Sequence, residues 1–327
     1  MAGAIQLTEV DFDQIKLNLI NYLRSTKQFT DYDFSGSNLQ VILNLIAYQA
    51  QLNAYSTNMI ANESFLASAS LRDNVVSNAK SIGYIPTSTK SAQTNVSFSF
   101  TLASDDFPSG FPSFVELQPG MVFQTGTGDI NFTFNTIDPV SAPVSTSGVC
   151  TFTEAPFFEG LYLTAEYVVD DSDFDQRFRL LNRNIDTTTI RVEVQENPNQ
   201  ETRTFFEQAN NLVKVSAQSA VYWVEETANE YYDLTFGDGF FGRSLKDGAR
   251  VFVTYLVSNG ALANGINAAT NFAYNGTALT SEGQALETNS TIISATTTFG
   301  GAALESVRSI KFQAPKSYAA QSRAVTT

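Results

Sequence analysis

Residues 232–255 read YDLTFGDGFFGRSLKDGARVFVTY, and the class of the whole chain turns on them. Gly237, Gly239 and Gly242 stand at the G-x-G-x-x-G spacing that cradles phosphate in dinucleotide enzymes and kinases. The dinucleotide fingerprint needs a strand before the glycines, a helix after them, and an acid about twenty residues further on. Here an alternating run, VFVTYLV, follows the glycines, and Ala261, Leu262 and Ala263 stand where the acid should be. A kinase loop does lie between strands. It also needs a valine two residues after its last glycine, where this chain has Ser244, and an H-R-D loop that a chain without histidine cannot supply. Asp238-Gly239 is instead a type I′ hairpin signal, and Asp247-Gly248 marks a second turn just before the next strand. The stretch predicts a β-hairpin over residues 232–257 and no bound cofactor.

Composition points the same way. The 327 residues carry 33 acidic against 19 basic side chains, a net charge of -14, which opposes both a phosphate backbone and anionic lipid. Neither nucleic acid nor membrane is therefore an expected partner. The opening MAGAIQLTEVDFDQIK has no basic and apolar leader regions, and no apolar run approaches the ~20 residues of a membrane span. With one cysteine, Cys150, no disulfide forms within the chain, and with no histidine the usual general base and the histidine metal motifs are missing. The abundance of Asn, Ser, Thr, Phe and Tyr suits strands and loops of a large assembled surface better than a compact enzyme.

The first 90 residues have helical period. Phe12, Ile15, Leu19, Tyr22 and Leu23 form one stripe over residues 8–25, with Thr8 and Asp11 as a capping box. After the turn DYDFSGS, which contains Gly36, a second helix starts near Ser37. It carries two apolar stripes: Leu39, Ile42, Leu43, Ile46 and Ala50 on one side, and Val41, Leu45, Tyr48, Leu52 and Tyr55 on the other. A helix apolar on two faces is covered on two sides, either as the centre of a small bundle or by its own core on one face and a partner on the other. A third helix runs from Ser70, capped with Asp73, to the stop signal of Gly83 and Pro86.

From residue 91 the period is two. Val96, Phe98, Phe100 and Leu102 alternate with polar residues; so do Ile130, Phe132 and Phe134, then Ile190, Val192 and Val194, then Val251, Val253, Tyr255 and Val257. The loops between them include DDFPSGFPS and DPVSAPVSTSG. Helix returns at residues 302–314, ended by Pro315. The fold class is α+β: an N-terminal helical head over residues 1–90, a mainly antiparallel β body over 91–298, and a C-terminal helix in 299–327.

Other chemistry is thin. Asp171, Asp173 and Asp175 begin like a calcium loop, but Gln176 and Asn182 stand where Gly and Glu are needed, so an exposed acidic loop is expected. The sequons at Asn95, Asn131 and Asn275 are chance occurrences in a Ser/Thr-rich chain, and Cys150 reads as a buried or tolerated thiol. The expected catalytic and metal sets are empty.

Longer blocks carry a family resemblance. DYDFSGSNL, NMIANESFL and LRDNVVSNAKSIGYIP, all within the first 90 residues, closely resemble the N-terminus of a baseplate wedge subunit of T-even-like contractile-tailed phages, a large protein related to the baseplate J family. FGDGFFGRSLKDGARVFVTYLVSNGALANG resembles the J-family hairpin, with Gly237, Asp238, Gly239, Gly242, Gly248 and the Asn264-Gly265 pair in place. GGAALESVRSIKFQAPKSYAAQSRAVTT resembles the segment that opens the next J-family domain, which this sequence does not continue into. These blocks cover roughly half of the chain; residues 103–230 rest on periodicity alone.

The resemblance implies a structural, non-enzymatic subunit of the virion's tail baseplate, assembled in the host cytoplasm. It implies pairing with a second copy of itself, contacts with other wedge proteins, and support for a sheath-initiating wedge subunit. An adhesin or a tail-associated glycoside hydrolase are the alternative classes. Candidate packing residues toward partners are Val41, Leu45, Tyr48, Leu52 and Tyr55, and, near the C-terminus, Leu304, Val307, Ile310, Lys311 and Arg323. In residues 300–327 Arg308, Lys311, Lys316 and Arg323 face one acid, Glu305, so a basic segment ends an acidic chain and is a plausible docking signal.

Overall fold

A computed structural model describes residues 5–26, 33–34, 38–127, 130–173, 175–197, 200–209, 215–286 and 290–320. They form two compact units, one of residues up to Pro86 together with those from Ser306, the other Thr87–Glu305. Of the expected third segment, residues 299–305 belong to the β unit, and the described residues from Ser306 to Ala320 belong with the head.

In the first unit, α1 (Phe12–Ser25) lies along α2 (Leu39–Glu63), and α3 (Arg72–Ser81) follows a short corner. Asp11 caps α1, its carboxylate accepting the Gln14 N–H at 2.9 Å. Thr8 is not part of that cap. Its N–H and hydroxyl bond to α2 through Asn58 and the Ala54 carbonyl, which fixes the approach segment instead. The expected Ser70 cap of α3 is also replaced. Glu63, the last residue of α2, accepts the N–H and hydroxyl of Ser70, at 2.8 and 2.6 Å, and the Asn74 amide at 2.9 Å. Burial would raise the Glu63 carboxyl, but these bonds and the Leu71 N–H outweigh it and bring the pKa down to about 2. At the other end of α3, Gly83 and Tyr84 donate to Lys80 and Ala79, a Schellman closure that matches the stop signal. Ser37 and Gly36 lie outside the described residues.

The last helix, α5 below, packs on α3 through Ile310 and Ala314, which are buried with Val75, Val76 and Ala79. It starts later than the apolar spacing indicates, because Ala302 is paired with Lys90 in a β-bridge and Glu305 N–H donates to the Thr87 carbonyl. Ser306 then caps the helix by accepting the Ser309 N–H. Pro315 does not end it. The proline removes one backbone bond, yet the helix runs on from the turns anchored by Ile310 and Ala314.

The second unit is built from short antiparallel strands. In chain order they are β1 (Gln93–Thr101), β2 (Phe114–Leu117), β3 (Gly120–Thr127), β4 (Ile130–Thr136), β5 (Val140–Pro143) and β6 (Val149–Glu159). Then come β7 (Leu161–Val168), β8 (Phe178–Leu180), β9 (Ile185–Gln195), β10 (Thr204–Gln208), β11 (Val221–Glu226), β12 (Tyr232–Phe236) and β13 (Arg250–Val257). After the single turn α4 (Ala268–Asn271) follow β14 (Ala273–Tyr274), β15 (Ala278–Thr280), β16 (Ala285–Leu286), β17 (Ser290–Ala295) and the helix α5 (Val307–Ala320). They assemble as β14-β3-β4-β6-β1-β17, β16-β15-β2-β5 and β7-β13-β9-β10-β11-β12-β8. Among the described residues only the β10–β11 pair is parallel. The segment DPVSAPVSTSG is thus not all loop: β5 pairs with β2 as the edge of its sheet, a position that accommodates Pro143.

The first two sheets enclose an aromatic core. Phe98 stacks on Phe152 at 4.9 Å and meets Phe100 and Phe123 edge-on. The alternating residues of β1 are all buried as expected, whereas Ile130 is 45% exposed at the start of β4. Cys150 is buried here, and burial pushes its thiol up to about 11. The third sheet folds around Ile190, Val192, Val194, Val251, Val253, Tyr255, Phe206 and Leu234. A register shift in β13 turns Leu256 inward beside Tyr255, so the alternation ends before Val257.

The chain crosses from β6 to β7 through one residue, Gly160. Its φ is +145°, and a Cβ there would lie 2.9 Å from the Val257 carbonyl oxygen. Beside it the fully buried Glu159 accepts the Ser258 hydroxyl at 2.8 Å, the Asn259 N–H at 3.1 Å and the Asn259 amide at 2.7 Å. Among the described residues no cation pairs with this carboxylate, and burial raises its pKa against those hydrogen bonds. A raised folded-state pKa means stability that is complete at low pH and falls as pH rises through that pKa. Glu159→Gln should keep the acceptor oxygen for Ser258, with the Asn259 amide turned over, and remove this fall. Melting curves over an acid-to-neutral series are expected to show a flatter profile for the variant; parallel profiles would refute the assignment.

The glycine-rich turn gives a second expectation. A Cβ on Gly237 would lie 2.1 Å from the Gly242 carbonyl carbon. Gly237→Ala should therefore cost about 1–3 kcal/mol by forcing two backbone segments apart. Gly239→Val should also destabilise, since Gly239 has φ +89°. An unchanged melting temperature in both would overturn this geometry.

Candidate functional site

The glycine spacing is the first place to look for a ligand. The structure places Gly237, Asp238, Gly239 and Gly242 in a loop after β12, with Asp247 and Gly248 closing it before β13. It is not the expected hairpin: β12 pairs with β11 and β8, and β13 with β7 and β9. Nor is the turn type I′, since only Gly239 and Gly242, not Asp238, have positive φ. The reason is local: the Asp238 carboxylate accepts the Phe240 and Phe241 N–H groups, each at 2.9 Å, and so folds the tip by itself. These two bonds hold its pKa down. The N–H of Gly239 goes to the Gly242 carbonyl, that of Gly242 to Ser216 and that of Arg243 to Ser219. The amides that could cradle a phosphate are thus used within the chain, two of them on a carboxylate of its own.

The acidic loop offers oxygen ligands in a different grouping from the expected one. Asp170, Asp171 and Asp247 can bring carboxylate oxygens within 4.8 Å of one another, while Asp173 and Asp175 bond locally instead. All three are exposed, and Asp170 is already held by the Ser172 N–H and hydroxyl. This is an exposed acidic turn without a buried ligand partner.

The third candidate is the long helix. Leu43, Ala47 and Ala54 are the buried residues of α2, so its covered side is narrow, with one leucine and two small alanines. Next to it, amides do the holding. Asn62 exchanges hydrogen bonds with the backbone of Ile5, Asn58 binds Leu7 and Thr8, and Gln51 donates to the Val10 carbonyl. Of the two expected stripes, the first is buried only at Leu43, with Ile42 and Ile46 exposed. The second lies in the open: Val41, Leu45, Tyr48, Leu52 and Tyr55 are between 44% and 70% exposed. Met59, which the composition of the stripe did not single out, continues it at 43% exposure. These six residues are spaced alternately by four and three, the seam of a coiled coil. Glu63 is the only charged residue of α2, so the seam is flanked by amides, hydroxyls and apolar groups. The signal in the sequence for this covered side is the Ala47-Ala54 pair, seven residues apart below Leu43, whose small side chains let another segment approach closely.

The C-terminal candidates divide. Ile310 is fully buried and Val307 half-buried against α3, so these two serve the head's own core. Lys311 reaches the Ala67 carbonyl at 3.3 Å. Leu304 precedes the helix and is not part of it. Arg323 lies outside the described residues.

The comparisons with known proteins meet this geometry at the head. The family model described as baseplate wedge protein gp6-like, helical domain, matches residues 11–84, which span α1, α2 and α3. The chain is also 26% identical over 281 residues to baseplate wedge protein gp6 of Enterobacteria phage T4, covering 80% of this chain and 40% of that protein. It therefore spans well under half the length of the relative it matches. The chain is thus similar to phage baseplate wedge proteins, in residues 11–84 to the gp6-like helical domain and, by the longer alignment, through the β body as well.

Proposed function

We propose that the chain is a structural, non-enzymatic subunit of a tail baseplate wedge in a contractile-tailed phage. It joins neighbouring wedge proteins through its helical head, pairs there with a second copy of itself, and supports the sheath-initiating subunit. Its place is the virion's tail baseplate, after assembly in the host cytoplasm. The observation that carries this reading is the exposed seam of α2, inside the segment that matches the wedge helical domain. A 25-residue helix with that much apolar surface open is an unfinished bundle, and helices of other chains are its natural complement.

The amide flanks give the reading a physical signature. Seam packing without charged neighbours depends on apolar burial, which salt does not screen. Leu45→Asp combined with Leu52→Asp should leave the melting temperature of the isolated chain nearly unchanged, since exposed positions cost within about 0.5 kcal/mol. It should abolish co-purification with the other wedge subunits when these are co-expressed. The parent complex should persist in high salt. Wild-type assembly by the double variant, or dissociation of the parent by salt alone, would refute the seam as the joint.

A further inference from the structure

Among the described residues six strands end the three sheets, and five of them are blunted. β14 and β16 are two residues long and β8 is three, β5 carries Pro143, and β17 meets β1 across a register shift. β7 is the exception. It pairs with β13 without a shift over eight residues, and its sequence LYLTAEYV has neither proline nor lysine. An edge of that kind is a template for a further strand. The Val169 N–H donates to the Ala249 carbonyl at 2.9 Å, so by the alternation of an antiparallel ladder the N–H and C=O of Tyr162, Thr164 and Glu166 point away from β13. Among the described residues no contact outside the β7–β13 ladder reaches these six groups. The open segment has defined limits. Beyond one end the Val168 carbonyl accepts the Gln176 amide at 3.0 Å; beyond the other, Gly160 donates to the Thr133 carbonyl and accepts the Asn135 amide at 2.6 Å.

The segment between those limits is centred on Thr164 and is complementary to itself. When a second β7 lies antiparallel about a twofold axis at Thr164, Tyr162 comes opposite Glu166 and Thr164 opposite Thr164, and the six groups of one copy meet the six of the other. A shift of two residues either way would bring Val168 or Gly160, whose groups are already bonded, into the ladder and leave open groups unmatched. The side chains agree with this register. Leu163 and Ala165, half-buried against the core of the third sheet, come opposite one another and carry that apolar face across the junction. The charges agree as well. Glu166, the single charge of β7, is answered by Arg250 at 3.2 Å and meets a tyrosine. The antiparallel arrangement also sends the exposed acidic loops of Asp170, Asp171 and Asp173 to opposite ends, where a parallel one would set them side by side. We propose that β7 pairs with β7 of a second copy of this chain, in the register centred on Thr164, joining two seven-stranded sheets into one. This contact is separate from the α2 seam and does not rest on the wedge reading.

The full chain carrying Leu45→Asp and Leu52→Asp, which removes pairing through the seam, is the background for the test. Its sedimentation should show a dimer that grows with concentration. Thr164→Cys, oxidised with glutathione disulfide, should cross-link, since the paired α-carbons lie about 5.5 Å apart, within disulfide reach. Tyr162→Cys should not, since four residues of offset put its counterpart about 13 Å away. Thr164→Lys and Thr164→Asp each set like charges across the axis and should weaken the dimer about tenfold. Mixed in equal amounts, the two variants should recover the affinity of the background chain within about threefold. Both should melt like the background, because Thr164 is exposed. A monomer at every concentration, a cross-link of equal yield at both positions, or Lys and Asp variants that dimerise like the background each overturn the proposal and leave the wedge reading intact. Amide exchange at Tyr162, Thr164 and Glu166 that slows only when other wedge subunits are added assigns the edge to a different protein and overturns it as well.

Discussion

The β unit depends on the turn at Glu159 and Gly160. One strand ends and the next begins there with a single residue between them, so two sheets with separate cores share one short stretch of backbone. The glycine permits the close approach to Val257, and the carboxylate holds the segment after β13 against the end of β6. Asp186 makes the matching bond from the other side, accepting the Ser91 N–H at 2.7 Å. A buried carboxylate with only neutral donors is costly to keep charged. Its presence at this crossing, in place of an apolar contact, fixes the relative register of the two sheets through directional bonds.

Elsewhere the same economy appears in different chemistry. Glu63 closes the corner between α2 and α3, Asp238 closes the tip of the glycine loop, and Asn58 and Asn62 hold the extended N-terminal segment to α2. Each is a side chain satisfying backbone N–H or C=O groups that no helix or sheet reaches. This leaves the apolar residues of the head free of that task. On α2 they are concentrated on the uncovered face, which is why a head of this kind is suited to being completed by other chains.

The notable misreadings share a cause. A proline in α5, the Ser70-x-x-Asp73 pair before α3 and the Asp238-Gly239 pair after β12 are local signals, each overridden by a contact distant in sequence or by a side chain competing for the same N–H. Pro315 is carried by the packing of Ile310 and Ala314 on α3, and Ser70 is taken by Glu63. Ile310, legible as apolar and expected to pack toward a partner, is shown only by the folded chain to belong to the head's own core.

By itself the sequence determined the element types: helical period in the first 90 residues, strand period from residue 91, the aromatic positions Phe98, Phe100 and Phe134 in the core, and the lack of the further residues a nucleotide loop needs around the glycine spacing. These follow from periodicity and residue chemistry, which act over a few neighbours and so are written locally. The tertiary structure alone decided which strands pair, which face of α2 remains open, and that β7 ends its sheet as an open edge. Those outcomes depend on contacts between residues far apart in the chain, and an apolar stripe reads the same in sequence whether its complement lies in the same molecule or in another.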